Sequence, residues 1–240
     1  MENVLNVAII PARTGNKRLP GKNTRTLNGR PMIGWTIQAA LEAEFFDAIV
    51  VTTNDPEVML LCADYPITAL LREDALASDD ASMGDVVLDV IAKLELQKTI
   101  VKGGKMLDAI VITLLQPTSP CRTSKQIQVA LEAYLGSSDA EVLISVCELE
   151  KPLHWTCSIS EGALVPIFSF RQMSVQMPPS YRPNGAIYIA NMGHLIENKG
   201  CFYSEEAAMA FVMSRRTSVD VDTIEDFLVA SCFLLPQAPA

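Results

Sequence analysis

The chain has 240 residues, of which 49% are hydrophobic and 20% charged, a composition typical of one globular domain or of one domain with an attached lobe. Its net charge of -9 argues against a general binder of nucleic acid or of anionic membranes, because both depend on broad positive fields. Six cysteines without a C-x-x-C pair, and only two histidines, make a zinc site unexpected and favour a reducing cytoplasm. No apolar run reaches the roughly 18 residues of a membrane span.

The first 150 residues alternate short β-rich runs with longer amphipathic segments, the pattern of strands joined by crossover helices in a mostly parallel sheet. Several strand candidates, such as AIVV and AIVITLL, are continuous apolar runs, as expected where helices cover both faces of the sheet. The predicted strands are 4–11, 48–53, 67–71, 108–116 and 140–146, and the predicted helices are 32–44, 56–64, 83–96 and 125–135.

After about residue 150 this rhythm changes. The following proline-rich stretch contains strand-like pieces HWTCSI and ALVPIF but no convincing helix, and such long excursions tend to be lids or interfaces. The α/β pattern then resumes, with a strand at 185–191, a short helix at 192–198, an apolar run at 207–213 and a final helix at 223–234. The sequence therefore predicts one α/β domain formed by residues 1–150 and 184–240, with residues 151–183 as a protruding lobe.

A cluster of positive charge follows the first predicted strand, in the segment PARTGNKRLPGKN (11–23) and its continuation. Positions 13–30 hold six of the chain's 19 lysine and arginine residues. A solvated charge run is the alternative interpretation. We favour a ligand site, because the cluster begins at the carboxyl end of a buried-looking strand, where open α/β sheets bind their ligands.

The same segment is a near match to the ATP-binding signature G-x-x-x-x-G-K-[ST]. Five residues instead of four separate its two glycines, and Asn23 stands where the signature needs a hydroxyl residue. The ATP mechanism is therefore not expected. A phosphate cradle still is, since Arg13 with Lys17 or Lys22 can neutralise phosphate oxygens and Asn23 offers a carboxamide to a base or a hydroxyl.

A second polar segment, LLQPTSPCR (114–122), ends the fourth predicted strand. Its two prolines fix a turn, and polar side chains such as Gln116 and Arg122 place donors at the edge where the first strand also ends. The structural alternative is a proline-rich strand exit with capping hydroxyls, Ser124 being the predicted cap of the next helix.

Two carboxylates are separated by a single residue in SVDVDT (218–223). Side chains alternate in an extended chain, so Asp220 and Asp222 point to the same face and can share a hard cation such as magnesium. The rival interpretation is a capping box for the last helix, formed by Asp222 and Glu225. Both can hold at once, and Asp220 is the residue that the cap does not explain.

Two further motifs are weaker signals. In YRPNGAIYI (181–189) the Asn-Gly pair predicts a turn before a strand, and Arg182 and Tyr188 add possible binding value. The segment LREDALASDDAS (71–82) reads most simply as a solvated loop. Together, a cationic loop, a carboxylate pair and polar strand ends form a set that can position a nucleoside triphosphate while a hydroxyl displaces pyrophosphate.

The order of these motifs carries a resemblance. PAR followed by K and KN, then ALASDDAS, LLQPTSPCRT, RPNGAIYI and VDVDT, resemble the bacterial CMP-sialic acid synthetases (acylneuraminate cytidylyltransferases) over about residues 5–230. The resemblance implies a Rossmann-like α/β nucleotidyltransferase with a mostly parallel sheet flanked by helices, and a homodimer formed through the small protruding lobe. It also implies magnesium-dependent transfer of CMP from CTP to a nonulosonic acid, activating the sugar for surface glycans, with no nucleic-acid or membrane partner.

The resemblance also assigns roles to residues. Asp220 and Asp222 would bind magnesium and, with Arg13 and Lys22, form the catalytic set. The nucleotide-binding residues would be Arg13, Lys17, Lys22, Asn23, Arg72, Ala81 and Ser82, and the substrate-binding residues would be Gln116, Arg182, Asn184, Tyr188, Phe202 and Tyr203.

The chain departs from the family pattern mainly on the sugar side. Family members typically carry serine at the position of Asn16 and a further hydroxyl residue at that of Met83. They often have an arginine in the segment that begins here at Ser174, and the nearest arginine in this chain is Arg171. In some members a lysine stands at the position of His154. These departures leave the identity of the nonulosonic acid open.

Several related functions therefore stay as alternatives. Within the nine-carbon acids, the product is CMP-sialic acid or CMP-legionaminic, CMP-pseudaminic or CMP-KDN acid. A more distant alternative is the eight-carbon Kdo-type cytidylyltransferase, which shares a PAR...RLPGK start, although QPTSP and RPNGAIYI favour the nine-carbon enzymes. From a different class, the chain would be a nucleotide-binding module that has lost turnover.

Overall fold

The computed structural model describes residues 4–78, 80–94, 109–168, 178–204 and 207–235. The strands are β1 (Leu5–Pro11), β2 (Thr26–Leu27), β3 (Arg30–Pro31), β4 (Ala48–Thr53), β5 (Thr68–Leu71), β6 (Ile110–Leu114), β7 (Val142–Glu148), β8 (Cys157–Ser160), β9 (Ala163–Pro166), β10 (Tyr181–Asn191) and β11 (Ala208–Met213). The α-helices are α1 (Met32–Glu42), α2 (Pro56–Cys62), α3 (Met83–Lys93), α4 (Ser124–Leu135), α5 (Met192–Glu197) and α6 (Ile224–Leu234). None of these helices is long and apolar enough to cross a bilayer.

Seven strands form one central sheet in the order β11-β7-β10-β6-β1-β4-β5. β1 pairs in parallel with β4 and β6, β4 with β5, and β7 with β11, whereas β10 runs antiparallel to both of its neighbours. The predicted mostly parallel α/β sheet is therefore confirmed. The carboxyl ends of β1, β4 and β6 meet at one edge, and the polar loops of the sequence leave from that edge.

Apolar residues of the strands alternate between two cores, one on each face of the sheet. In β1, Ile10 belongs to the core shared with α1 and α4, and Ile9 belongs to the core shared with α3 and α5; both are fully buried. A third apolar cluster packs Leu19 and Leu27 against Phe227 of α6. This cluster fastens the basic loop to the last helix of the fold.

The type of each predicted element in the described residues agrees with the structure. Boundaries differ by at most two residues with three exceptions: β10, the strand-like piece HWTCSI, which begins three residues before β8, and the end of the third helix. The predicted residues 95–96 of that helix, and residue 108, lie outside the described ranges. β10 begins four residues before the predicted 185–191. The prediction started late because the pair Asn184–Gly185 is a typical turn sequence. The structure shows a break in strand register between Pro183 and Tyr188 instead.

Residues 149–180 leave the sheet between β7 and β10. The excursion is closed at its base by a hydrogen bond from the Leu149 amide to the Ser180 carbonyl, at 2.8 Å. It contains the hairpin β8–β9, where Ile159 pairs with Leu164 and both side chains are exposed. Because no crossover helix intervenes in the described residues, β10 returns antiparallel to β7. Residues 169–177 lie outside the described ranges, including Arg171 and Ser174.

Two predicted helix caps are wrong by one residue. Helix α4 is capped by Thr123 and not by Ser124, and Thr123 closes a reciprocal capping box with Gln126. Helix α6 is likewise capped by Thr223 with Asp226, and not by the pair of Asp222 and Glu225. In both cases a threonine side chain accepts from the amide three residues on, which leaves the carboxylates of the SVDVDT segment outside the box.

Replacing Asp226 by alanine is expected to lower the free energy of unfolding by about 1 kcal/mol near pH 7. Burial raises the pKa of the Asp226 carboxyl, but hydrogen bonds from Thr223 and from the Asp222 amide lower it more, so the net pKa lies below its ordinary value. The contribution is present above the unfolded pKa of about 3.9 and is lost as pH falls through the lower folded value.

Denaturant unfolding near pH 7 and near pH 3 measures this dependence. Glu225→Ala is the matched control, since Glu225 is exposed and takes no part in the capping box. An equal loss of stability in both variants at neutral pH would contradict the assignment of the cap.

Candidate active site

A cavity of ≈ 170 Å³ opens where β1 and β6 end. Its walls come from four parts of the chain: the loop after β1, the residue after β5, the start of α3 and the loop after β6. The structure thus brings together residues that the sequence analysis singled out separately. The lining residues are Pro11, Arg13, Asn16, Lys22, Asn23, Arg72, Met83, Gln116, Pro117 and Thr118.

A larger cavity of ≈ 410 Å³ lies at the opposite end of the sheet, beside α1 and the start of β4. Among the described residues that line it, the charged ones are Glu44 and Asp47. Two carboxylates repel a polyanion, so the smaller cavity at the carboxyl ends of the strands is the candidate active site.

The basic loop is held in a defined conformation by short polar side chains. The Asn16 carboxamide oxygen accepts hydrogen bonds from the amides of Arg18 and Leu19, at 3.1 and 3.0 Å. The Asn54 carboxamide oxygen accepts from the Thr14 amide at 3.0 Å. Asn16, which departs from the family serine, therefore closes the turn itself. Gly21 has a φ of +65°, the left-handed region that the loop needs before it enters Lys22.

Arg13 and Asn23 bind the loop to its surroundings. The Arg13 guanidinium donates to the Ala77 carbonyl at 3.0 Å, and the Asn23 carboxamide donates to the Arg13 carbonyl at 3.1 Å. Asn23 is buried, and its carboxamide oxygen has no hydrogen-bond partner among the described residues. A buried acceptor without a donor is costly, so this oxygen is suited to receive a hydrogen bond from a ligand.

Lys22 connects the basic loop to the SVDVDT segment. Its ammonium donates to the Val221 carbonyl at 3.0 Å and to the Asp222 carboxylate at 3.1 Å. The Arg18 guanidinium donates to the other oxygen of the same carboxylate at 2.7 Å. The predicted phosphate-binding cations and the predicted metal-binding carboxylates are therefore neighbours. Arg18 belongs to this cluster although the sequence analysis gave it no role.

The charges around Asp220 and Asp222 bear on whether the two carboxylates can bind a divalent cation. Burial raises the pKa of Asp220, the Asp222 carboxylate raises it further, and the nearby Thr118 hydroxyl and Lys22 ammonium oppose both. Neighbouring carboxylates repel each other when both are ionised, and a cation between them removes that repulsion.

Magnesium suits this arrangement. In the part of the chain that the structure describes, no three histidine, cysteine or acidic side chains gather into a metal cage. Magnesium usually needs none, because it is held by one or two carboxylates together with substrate phosphates and water. Asp220 and Asp222 therefore fit magnesium, and the Asp222 oxygens now paired with Lys22 and Arg18 would be shared with it or released to it.

Arg72 is one of the predicted nucleotide-binding residues in the segment 71–82. Its guanidinium is buried and donates to the Thr52 carbonyl at 2.8 Å and, less closely, to the Thr52 hydroxyl. Burial lowers the pKa of Arg72 to about 10, Asp89 opposes this and Arg13 adds to it. The interpretation of this segment as a simple solvated loop is therefore wrong at Arg72, which reaches into the core.

Other predicted nucleotide contacts lie at the margin of the cavity. The Ser82 hydroxyl accepts from the Asp85 amide at 3.0 Å and caps α3, directly before Met83, which lines the cavity. Ala81 precedes it, and Lys17 is exposed on the basic loop. These three residues stay predictions, because none of them lines the cavity as it stands.

On the sugar side, Gln116, Gly185 and Asp220 approach one another. Gly185 has a φ of +78°, and a Cβ atom there would lie 3.0 Å from the Gln116 carboxamide oxygen and 4.0 Å from an Asp220 oxygen. Tyr188 lies beside them, with its ring centroid 5.9 Å from Phe202 and 6.3 Å from Tyr203. Burial, Tyr203 and the Asp220 charge, in that order, raise the pKa of the Tyr188 hydroxyl, so it remains a hydrogen-bond donor.

Asn184, a predicted substrate contact, is buried in a network of hydrogen bonds within the protein. Its side chain is 1% exposed, donates to the Ser218 hydroxyl at 2.8 Å and accepts from the Ser145 hydroxyl at 2.6 Å. Its oxygen also accepts from the Ala186 amide. These bonds hold the register break in β10, and the predicted contact of Asn184 with substrate stays a prediction.

Arg182 is exposed and lines a separate cavity of ≈ 590 Å³, whose wall also contains Asp220 and Glu148. Its predicted contact with substrate stays a prediction. His154, at the position where some relatives carry lysine, is buried in the excursion with its ring edge-on to Trp155. The accompanying departures at Arg171 and Ser174 lie outside the described residues.

Comparison with known proteins agrees with this arrangement. A family model described as Cytidylyltransferase matches residues 7–159. The chain is 37% identical to the CMP-N,N'-diacetyllegionaminic acid synthase of Legionella pneumophila over 92% of each chain. It is 35% identical to the N-acylneuraminate cytidylyltransferase of Streptococcus agalactiae serotype V, over 92% of this chain but only 51% of that protein, so it spans about half of that relative.

A solved structure extends the comparison to the fold. The CMP:2-keto-3-deoxy-manno-octonic acid synthetase complexed with CTP superimposes with a TM-score of 0.70 over 96% of this chain and 98% of that one, at 19% identity. At this identity the likeness concerns the fold alone. The family model and the Legionella relative carry the assignment, and by them the chain belongs to the CMP-sialic acid synthetase family of cytidylyltransferases.

Proposed function

We propose that the protein transfers CMP from CTP to a nonulosonic acid and releases pyrophosphate, with magnesium as its cofactor and the cytoplasm as its compartment. The observation that carries this proposal is that Lys22, which lines the cavity, also contacts the Val221 carbonyl and the Asp222 carboxylate. This contact supports a site in which a cation for the triphosphate lies next to a carboxylate for its metal. The Legionella relative, named for the synthesis of a CMP-linked nonulosonic acid, supports the choice of nucleotide and acceptor.

The proposed reaction balances as a single displacement at phosphorus. The anomeric hydroxyl oxygen of the sugar acid forms a bond to the α-phosphorus, the α–β phosphoanhydride bond breaks, and pyrophosphate leaves with the bonding electrons while the hydroxyl proton passes to solvent. Bound magnesium would lower the pKa of the hydroxyl and stabilise charge on the phosphates.

The chain's own groups supply binding and orientation for this step. Lys22 and Arg13 place positive charge where the leaving pyrophosphate becomes more negative, so they stabilise the transition state more than the ground state. Asn23 offers its unpartnered oxygen to the nucleoside. The Gln116 carboxamide, beside Asp220, is placed to orient the sugar acid.

Among nonulosonic acids, one of the legionaminic type is the first to test. The Legionella enzyme is 37% identical to this chain, and a pseudaminic acid cytidylyltransferase of Campylobacter jejuni is 28% identical, each over 92% of both chains. The aromatic wall of Tyr188, Phe202 and Tyr203 would pack against the acyl groups of such an acid.

A substrate panel tests the proposal. Pyrophosphate release is measured with CTP, magnesium and, in turn, di-N-acetyllegionaminic, N-acetylneuraminic, pseudaminic, KDN and Kdo acids. Release that needs CTP, magnesium and one nine-carbon acid together is expected. Turnover of Kdo alone would favour the eight-carbon alternative. CTP binding by calorimetry without turnover of any acid would reject the proposal in favour of a nucleotide-binding module.

We also propose that the protein is a homodimer and that the β8–β9 hairpin lies in its interface. The hairpin exposes a run of apolar side chains unusual for a free surface. Ile159 is 78% and Leu164 65% exposed, and the two face each other across the hairpin. Leu153 and Trp155, shortly before the hairpin in the chain, are also exposed, at 50% and 52%.

Introducing lysine at both Ile159 and Leu164 is expected to convert the dimer to a monomer, because four like charges would be buried in the interface. Light scattering coupled to size-exclusion chromatography measures the mass. Lysines at Ser158 and Ser160, on the opposite face of the same strand, are the matched control and should leave the dimer intact. A wild-type monomer, or a dimer that survives in the Ile159–Leu164 variant, would refute the proposed interface.

A further inference from the structure

Arg122, in the loop after β6, is buried without a counter-ion. Its side chain is 3% exposed, and one guanidinium nitrogen donates to the carbonyls of Ala186 and Gln116, at 2.8 and 3.3 Å. The other two nitrogens, Nε and Nη2, are buried and have no hydrogen-bond partner among the described residues. None of the described carboxylates pairs with it.

Such an arrangement is unfavourable for stability alone. Burial disfavours the charged form and lowers the pKa of Arg122 to about 9, so the group is still a cation at neutral pH. An apolar side chain of similar volume would fill the same space without this desolvation cost. A role in stabilising the fold therefore does not account for an arginine at this position.

Arg122 joins two carbonyls, those of Gln116 and Ala186, which lie beyond the last paired residues of β6 and β10. The ladder between β6 and β10 ends at the pair Leu114–Tyr188. Beyond it, Gln116 lies in the loop after β6, and Gly185–Ala186 lies in the register break of β10. These segments approach each other so closely that a Cβ atom added at Gly185 would lie 3.0 Å from the Gln116 carboxamide oxygen and 4.0 Å from an Asp220 oxygen.

We propose that Arg122 is a positioning residue for cytidylyl transfer, whose guanidinium bridges the Gln116 and Ala186 carbonyls and so fixes the Gln116 side chain relative to Asp220. The role rests on the proposed function, since it concerns the acceptor side of that reaction. Arg122 touches neither substrate. Both bonds come from Nη1, whose two N–H groups point in fixed directions within the guanidinium plane, whereas the N–H groups of a lysine ammonium rotate on a flexible stem.

Arg122→Lys tests the proposal, because it keeps the charge and loses the planar bridge. A fall in kcat of about tenfold or more is expected, with a raised KM for the acid and a CTP Kd within about twofold of wild type, since small misplacements near the reacting groups are costly. Hydrogen exchange at residues 181–189 should become faster. Arg216→Lys is the matched control: that guanidinium also donates to a carbonyl, that of Phe233, and its loss should affect stability alone.

Each outcome decides the matter. An unchanged kcat and unchanged exchange in Arg122→Lys would overturn the proposal, as would a parallel loss of CTP binding, kcat and Tm resembling that of a purely structural residue. If Arg122→Lys does not fold, Arg122→Gln, which keeps a donor of similar reach, is measured in the same way. A wild-type protein that turns over no acid would reject the proposed function, while the exchange data would still report whether Arg122 holds the two segments together.

Discussion

Replacing Lys22 by methionine is expected to lower kcat/KM for CTP by about a hundredfold or more, because the substitution removes a preorganised cation from the phosphate site. Lys22 is buried, lines the cavity and has its ammonium fixed by the Val221 carbonyl and the Asp222 carboxylate. A cation held in this way needs no reorganisation when charge develops on the departing pyrophosphate. Methionine keeps most of the volume of the lysine stem, so the cavity wall should survive.

Steady-state kinetics at varied CTP, with calorimetric binding of CTP, measures the effect of Lys22→Met. Lys125→Met is the control, since Lys125 is an exposed lysine in the first turn of α4 and away from the cavity. The control should behave as wild type. A Lys22→Met enzyme within about threefold of wild type would show that its ammonium serves the contact with the SVDVDT segment and not the phosphates.

Asp220→Asn and Asp222→Asn are each expected to reduce magnesium-supported turnover by about a thousandfold, because a neutral carboxamide is a poor ligand for a hard divalent cation. Neither residue belongs to the capping box of α6, so the folded state should persist in both variants. For Asp220 the stability should even rise slightly, since its carboxylate is desolvated and lies near a second one.

Turnover as a function of magnesium concentration and thermal unfolding separate the two effects. Glu225→Gln is the matched control, as it removes a neighbouring carboxylate that is exposed on α6. Full activity in both Asp variants, or an Asp220→Asn enzyme that fails only because it unfolds, would remove the basis for the metal site. Removal of magnesium with a chelator should reproduce the loss in the wild-type enzyme.

The sequence predicts those parts of the fold whose signal is local. The predicted bounds of strand β4 agree with the structure at both ends, because a run of apolar and β-branched residues is flanked by polar turns. The predicted strand β10 is too short, because Asn184 and Gly185 are turn residues in isolation and become part of a strand only through the pairing with β7. Its antiparallel direction likewise follows from the excursion that precedes it, which carries no periodic signal.

In the candidate site, too, the sequence predicts residue types but not the contacts that depend on tertiary packing. The sequence singles out Lys22 and Asp222 by their residue types, and the structure shows that the two are in contact, which the sequence does not predict. A polar residue in a motif can equally satisfy buried partners, and only the structure shows Ser145 and Ser218 around Asn184. Arg122 was noted as a donor, but its lack of a counter-ion depends on tertiary packing and has no signature in the sequence.

The contact between Lys22 and Asp222 also sets an order of events during synthesis. Half of the candidate site is translated within the first tenth of the chain, and the carboxylates that complete it follow 200 positions later. A nascent chain can form the first strands of the sheet early, but it cannot assemble phosphate and metal ligands together until the segment with Asp222 has emerged. Activity should therefore appear abruptly, and late, as the polypeptide lengthens.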